Sequence, residues 1–339
     1  PLTRSPAHPL TRSPAHPLTR SPAHPLKMHA YHDFRLFYNQ SIHPELLNLE
    51  QRRRRLVRLL GLSVFLLTGV VFLQVYVQIF VVTLLLMVPV GLWIAYLAFR
   101  VQVYYREFKP RVVGLVLDFM DNDVNYDSFR YSAKGSIPQA KFLSSKIFTR
   151  ADEYVAEDLI TGRVRELPFE LCELRVREFS DVRSRLDYVF RGVFLWGDFR
   201  RADMQGGILL LPDAYRKYLN RSERAFHLFG GRRIRKHLSA AFEAVFDTYA
   251  TPNVRLRDVL SDDLQQAILR FRQRFQEVNR EKEMYLSIIN DKVFIALTSD
   301  KDLLEPSLFR NTVSYEVVRE FYEDIALLLE VLRDVDVLN

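Results

Sequence analysis

Between Arg58 and Arg100 the chain runs through 41 consecutive positions without a charged residue, and no other feature restricts its folding as much. As a single helix this stretch would be about 62 Å long, whereas one crossing of a bilayer core needs roughly half of that. It therefore divides into two spans, Leu59 to Leu73 and Ile79 to Phe99, with Gln74, Tyr76 and Gln78 marking an interfacial turn. The first span approaches the ~17-residue lower bound for crossing once Leu56 and Val57 are added and the Arg58 side chain extends to the headgroups. A cleaved signal peptide is the competing reading, but a second apolar span follows directly and argues against cleavage.

Arg52, Arg53, Arg54, Arg55 and Arg58 flank one end of this hairpin, and Arg100, Arg106, Lys109 and Arg111 flank the other. Basic flanks favour the cytoplasmic side, so both termini are expected there, with the hairpin crossing fully or re-entering. Residues 1–111 hold 14 Lys and Arg against 4 Asp and Glu, and the remainder holds 34 against 37. The basic isoelectric point thus belongs to the membrane flanks, where anionic lipid attracts it. A lipid bilayer is the expected partner and nucleic acid is not.

The octad PLTRSPAH occurs three times from Pro1 to His24. It has no apolar periodicity, so residues 1–27 are expected to be disordered. The first methionine is Met28, and natural synthesis is expected to start there, with the repeat not native. In residues 28–58, Phe34, Phe37, Tyr38 and Ile42, then Leu46, Leu47 and Leu49, suggest two short amphipathic cytoplasmic helices, the second started by Pro44 and leading into the arginine run. Residues 59–99 are the membrane hairpin, and residues 112–339 the cytoplasmic domain.

In that domain a helix is expected at Val112 to Met120, a polar turn around Asp121 to Asp127, and a helix from Pro138 to Phe148. Tyr154 to Ile160, Arg163 to Leu174, Asp187 to Phe199 and Gly207 to Leu211 read as strands punctuated by Gly162, Gly206 and Pro212. Residues 213–238 read as a loop or short helices, and Phe242 to Thr248 as a strand. Ser261 can cap a helix with the stripe Leu264, Ile268, Phe271, Phe275 and Val278. Met284 to Ile289 and Val293 to Leu297 form a hairpin around Asn290, Asp291 and Lys292, and a last helix spans about Ser314 to Arg333. Consecutive strands without long crossovers favour an antiparallel sheet, so the fold class is α+β: an N-terminal transmembrane helical hairpin followed by a cytoplasmic domain of mainly antiparallel sheet and packed helices.

Several residues form an ordered set: Phe37 and Tyr38, then Pro44, Leu46, Leu49 and Glu50 before an arginine run; Tyr154, Glu157, Asp158, Ile160 and Gly162; Phe190, Gly192 and Phe194; Pro212 and Asp213. In that order they resemble a bacterial two-helix membrane protein family of unknown function, of the domain-of-unknown-function 3137 type, over nearly everything after Met28. The resemblance implies a two-helix anchor in a bacterial inner (cytoplasmic) membrane and a cytoplasmic domain, and it supplies no reaction, substrate or catalytic residue. At Pro252-Asn253-Val254-Arg255 the chain departs from the family pattern, which would continue with an acidic residue and an Ala-Arg pair.

The chemistry-bearing residues favour structural roles. Glu153, Glu157 and Asp158 could pass for an acid–base set, but in a strand Glu157 and Asp158 face opposite ways, and a turn before Gly162 held by acidic hydrogen bonds explains them better. Gly230-Gly231 followed by Arg232, Arg233, Arg235 and Lys236 has the charge of a phosphate loop without its Lys-Ser/Thr signature. A solvated basic loop is the ordinary reading; joined by Arg221 and Arg224, these four residues are also candidate headgroup contacts. Val318, Phe321, Ile325, Leu328, Leu332 and Val335 are spaced as a coiled-coil seam too short to specify one, so packing on the domain is preferred to homo-oligomerisation.

Cys172, the only cysteine, excludes an intrachain disulfide and sits in a strand without an assignable histidine base, so a packing role is expected and no catalytic residue is assigned. Only His227 and His237 of eight histidines fall in the large domain, so no metal and no cofactor are expected. A channel or transporter is disfavoured because the two spans carry no ionisable residue. The expectation is a membrane-anchored interaction or regulatory module with a protein partner. The alternative is an enzyme of unrecognised type acting at the membrane on lipid or envelope material.

Overall fold

The computed structural model describes residues 32–77, 80–198, 205–213, 217–278, 282–299 and 313–337. The octad repeat, Gln78 and Phe199 lie outside the described residues. Helix α1 (His43–Val77) follows a π-helical turn at Tyr38–Ile42, and helical backbone is continuous from His32. Helix α2 (Phe80–Met120) contains Pro89 and Pro110. The two short helices expected before the arginines are therefore one helix, continuous with the first apolar span. The His43 N–H reaches back to the Tyr38 carbonyl, one residue further than in an α-helix, and this wider turn makes room for the ring of Pro44. The helix expected at Val112 to Met120 is likewise the last part of α2. Both helices are long and apolar enough to cross a membrane, and only 11% and 6% of their most apolar 18-residue windows are buried.

The remaining elements, in chain order, are β1 (Tyr126–Ser132), α3 (Gln139–Ser144), β2 (Glu153–Val164), β3 (Leu167–Ser180), β4 (Arg185–Asp198), β5 (Gly207–Pro212), α4 (Lys217–Leu228), β6 (Arg232–Ile234), α5 (Ala240–Glu243), β7 (Phe246–Ala250), α6 (Leu256–Val259), α7 (Asp262–Val278), β8 (Met284–Ile289), β9 (Lys292–Thr298) and α8 (Tyr315–Val337). The strands form a nine-stranded sheet in the order β1-β2-β3-β4-β9-β8-β5-β7-β6. Its pairings are antiparallel, so the class is α+β.

Four local expectations change. The strand expected at Arg163 to Leu174 is split by a turn at residues 165–166 between β2, which runs to Val164, and β3, which starts at Leu167. Gly162 lies inside β2, and the turn expected before it is a β-bulge between Glu157 and Ile160. The strand expected from Phe242 begins at Phe246, because the Ser239 side chain caps α5 by accepting from the Phe242 N–H. The polar text after Asp121 turns into strand β1 from Tyr126.

The core has two layers, one on each face of the sheet. Alternation along β3 sends Phe169 and Leu171 to one layer and Cys172, Leu174 and Val176 to the other. The first layer takes Phe34, Tyr38, Ile42 and Leu46 from the base of α1, Val112 and Val116 from α2, Phe271 from α7, and Phe321 and Ile325 from α8. The second packs Phe142 and Phe148 around α3 against Phe190 and Phe194 of β4, with Phe226 of α4. The two long helices are thus part of the domain core at their bases and bare along their apolar lengths. Val318, Phe321, Ile325, Leu328 and Leu332 of α8 are all buried against the domain, which accounts for that seam within one chain.

Candidate functional site: the joint between the apolar helices and the sheet

The periodicity of α1 places Leu46, Leu49, Arg53 and Leu56 on one stripe, and that of α2 places Lys109 with Val112, Val113 and Val116. Both stripes face the core, so Arg53 and Lys109 must enter it with partners or not at all. Glu50, itself buried, accepts from Arg53 Nη2 at 2.6 Å and from Arg54 Nε at 2.8 Å. The Arg53 guanidinium, with Arg54 beside it, holds the Glu50 carboxyl down to about 2. Across the helix pair, Arg52 Nη1 donates to Glu107 at 3.2 Å and Arg111 Nη1 to Glu45 at 2.7 Å. The hydrogen bond from Arg111 also lowers the Glu45 carboxyl.

The tie from helix to sheet is Lys109. Its ammonium donates to Asp158 Oδ2 at 2.6 Å, both side chains being almost covered, and the Tyr131 hydroxyl donates to Asp158 Oδ1. Asp158 is one of the two residues, with Leu159, that the β2 bulge takes out of register with β3, and its φ is +58°. A left-handed backbone and a short side chain that bonds locally suit Asp or Asn there. In the apolar part, Trp93 Nε1 donates to Ser63 Oγ at 3.1 Å, pinning α1 to α2 a second time.

The nine flanking cations expected from the sequence thus separate. Arg53 and Lys109 point inward and are paired; Arg52, Arg54 and Arg111 are exposed members of ion pairs; Arg55, Arg58, Arg100 and Arg106 stand exposed around the two helices. The basic segment after Gly230 contributes Arg232 and Arg233 to edge strand β6, where Arg233 pairs with Asp247, while Arg235 and Lys236 follow exposed. Arg221 turns away from it to pair with the buried Glu178, whose carboxyl is raised by burial in spite of that guanidinium. Arg221 is thereby tied to a carboxylate of β3.

Two further places were candidates for chemistry. Cys172 is 0% exposed and burial pushes its thiol up to about 12, as for a packed side chain. On the face of the sheet opposite α1 and α2, an open cleft of about 320 Å³ is lined by Arg130, Thr161, Arg163, Glu170 and Trp196. Arg130, Thr161, Glu170 and Trp196 are successive cross-strand neighbours on β1 to β4. Trp196 Nε1 and Lys141 Nζ both donate to Glu170, at 2.8 and 3.1 Å, and the Lys141 ammonium lies 3.8 Å from the Trp196 ring centre. The Glu170 carboxylate is thus held in place by two donors from different elements. Among the described residues no three His, Cys, Asp or Glu side chains come together to hold a metal.

The sequence reading missed the Lys109–Asp158–Tyr131 tie. Its signal was present, since Lys109 shares the helical stripe of Val112 and Val116, but proximity to the apolar span made it look like one more flanking charge.

No curated protein and no solved structure matches the chain. A family model described as a protein of unknown function (DUF3137) matches residues 188–337, from within β4 to the end of α8, and so leaves out both apolar helices and β1 to β3. Over that region the chain resembles this family of unknown function.

Proposed function

We propose that the chain is a membrane-anchored interaction module, in which α1 and α2 form a two-helix anchor rigidly joined to an α+β domain that presents its sheet to a protein partner at the bilayer. The observation that carries this reading is the abrupt change along each long helix. Below Arg58 and above Arg100 the apolar faces are buried in the domain core, whereas between them Phe65, Phe72, Val81 and Leu85 are each more than 70% exposed. Lipid covers such a bare apolar pair without further protein, and the internal hydrogen bonding of a helix satisfies its backbone there. Arg55, Arg58, Arg100 and Arg106 stand where the helices leave the domain and would meet anionic headgroups. By the bias of basic flanks, both ends lie on the cytoplasmic side of a bacterial inner membrane.

Membranes from a bacterial host expressing the chain test this. The protein is expected to stay in the pellet after an alkaline carbonate wash, and the C-terminal half to resist protease added outside spheroplasts but not protease added after lysis. Release by carbonate would overturn the anchor, and digestion from outside would overturn the orientation. Crosslinking in the same membranes identifies the partner.

A further inference from the structure

The β3–β4 hairpin is longer than the sheet that carries it. On the β3 side, pairing with β2 ends at Glu153 opposite Arg177; on the β4 side, pairing with β9 ends at Thr298 opposite Gly192. Beyond these, the hairpin continues as a two-stranded ribbon through Phe179 opposite Leu186 and Ser180 opposite Arg185 to a turn at residues 181–184. Side chains alternate across such a ribbon. One face carries Phe179, Leu186, Tyr188 and Arg177; the other carries Glu178, Asp187, Ser180 and Arg185. The first face is bare: Phe179 is 42% exposed, Leu186 41%, Tyr188 54%, and Val182 at the tip 84%.

Two contacts fix the end of the sheet from which the ribbon projects. Asp121, just beyond α2, accepts from the Phe129 N–H of β1, next to Arg130, which pairs with Thr161. Further back along α2, towards its apolar part, Lys109 meets Asp158. Moving along α2 towards its bare apolar length is therefore moving along β2 from Thr161 towards Glu153, and Glu153 pairs with Arg177 at the root of the ribbon. The apolar face also looks to the helix side of the sheet. Phe169 and Leu171 share their layer with α1 and α2, and unbroken alternation along β3 puts Phe179 on that side, while Glu178 on the other side meets Arg221 of α4.

We propose that this ribbon is a second membrane contact, with Phe179, Leu186 and Tyr188, tipped by Val182, resting in the headgroup layer of the bilayer that α1 and α2 enter. It rests on the anchor reading given above. The chemistry matches an interfacial site: aromatic rings prefer the headgroup level, and apolar faces of amphipathic segments settle about 5–10 Å into that boundary. The Arg177 guanidinium, 4.3 Å from the Tyr188 ring centre, keeps its charge beside the ring at phosphate level. Three contacts with lipid, two helices and a ribbon, would fix the tilt of the domain where two adjacent helices alone leave it free to roll.

Single-cysteine labelling of the full chain in phosphatidylcholine–phosphatidylglycerol vesicles tests it. Cys172 is 0% exposed, so an introduced thiol reacts alone in the folded protein. An environment-sensitive fluorophore is placed at Val182→Cys, at Phe72→Cys in α1, and at Val124→Cys, which is fully exposed at the opposite end of the domain. The Val182 label is expected to emit blue-shifted, to be quenched by lipid carrying a nitroxide high on its acyl chain, and to lose the iodide quenching seen at Val124. A Val182 label as open to iodide as the one at Val124, with the Phe72 label quenched from lipid, overturns the ribbon contact and leaves the anchor standing. Protection at Val182 without lipid quenching also overturns it, because protein then covers the ribbon. If the Phe72 label is not quenched from lipid, the anchor fails and the ribbon contact with it.

Discussion

Asp158 concentrates three constraints in one residue: a bulge that removes it from the β2 ladder, a left-handed backbone, and a nearly covered carboxylate that receives Lys109 and Tyr131. Removing one member of a buried ion pair leaves the other uncompensated, at a cost of about 3–5 kcal/mol, whereas replacing both with neutral groups is often far milder. Lys109→Met and Asp158→Asn are each expected to destabilise the domain by about 3 kcal/mol, with Asn keeping the left-handed backbone comfortable. The double variant is expected to lose well under the sum of the two. Chemical denaturation of the detergent-solubilised chain, followed by tryptophan fluorescence, measures the cycle; additive losses would mean that the two groups do not act as a pair. Glycine at 192 is fixed by a different constraint, since a Cβ there would lie 2.0 Å from the Leu297 carbonyl oxygen. The Phe190, Gly192 and Phe194 part of the resemblance therefore reports packing, two rings in the core and one close approach of strands.

At the scale of elements, the strands with alternating or unbroken apolar text were legible: β4, β5, β8 and β9 lie where the sequence put them, as do α7 and α8, because each buries a face whose period shows in the residues, whereas the turn between β2 and β3 falls at residues 165–166 rather than at Gly162. Elements whose identity depends on distant partners were not. Strand β1 reads as a polar turn because only Phe129, Tyr126 and Tyr131 touch the core, and β6 reads as a basic loop because it is a three-residue edge. Proline misled at Pro44, which was read as a helix start. The π-helical turn ahead of it absorbs the ring, and this gives an expected pattern of paired effects. Deleting Asn39 would convert the wide turn into ordinary α-helix and press the Pro44 ring on a backbone carbonyl, with a loss on the order of 3 kcal/mol. Pro44→Ala in the same deletion should restore most of that stability, while Pro44→Ala alone should change little. Thermal unfolding of the three variants decides it, and a deletion that is harmless by itself would show that the turn does not serve the proline.

For the whole molecule, the division into anchor and domain that charge and hydropathy suggest does not coincide with the division that packing makes. Phe34, Tyr38, Ile42, Leu46, Leu49 and Leu56 on one side, and Tyr104 and Phe108 on the other, belong to the same buried layer as β8 and β9. A fragment of residues 112–339 would lose these eight side chains from one face of its sheet, and each fully buried large apolar side chain is worth about 1.5–3 kcal/mol. That total rivals the whole stability of an ordinary domain. The fragment is therefore expected to bind hydrophobic dyes and to unfold without a cooperative transition. A chain keeping residues 32–58 and 100–339, with a flexible Gly/Ser linker in place of residues 59–99, is expected to fold cooperatively in water, since both helix bases keep their buried side chains in the layer shared with the sheet, and the exposed pairs Arg52–Glu107 and Arg111–Glu45 add little to that. Calorimetry on both proteins separates the cases: a sharp transition in residues 112–339 alone would show that the helices are merely attached to the domain, and its absence from the linked chain would show that the apolar hairpin itself is needed to align their bases.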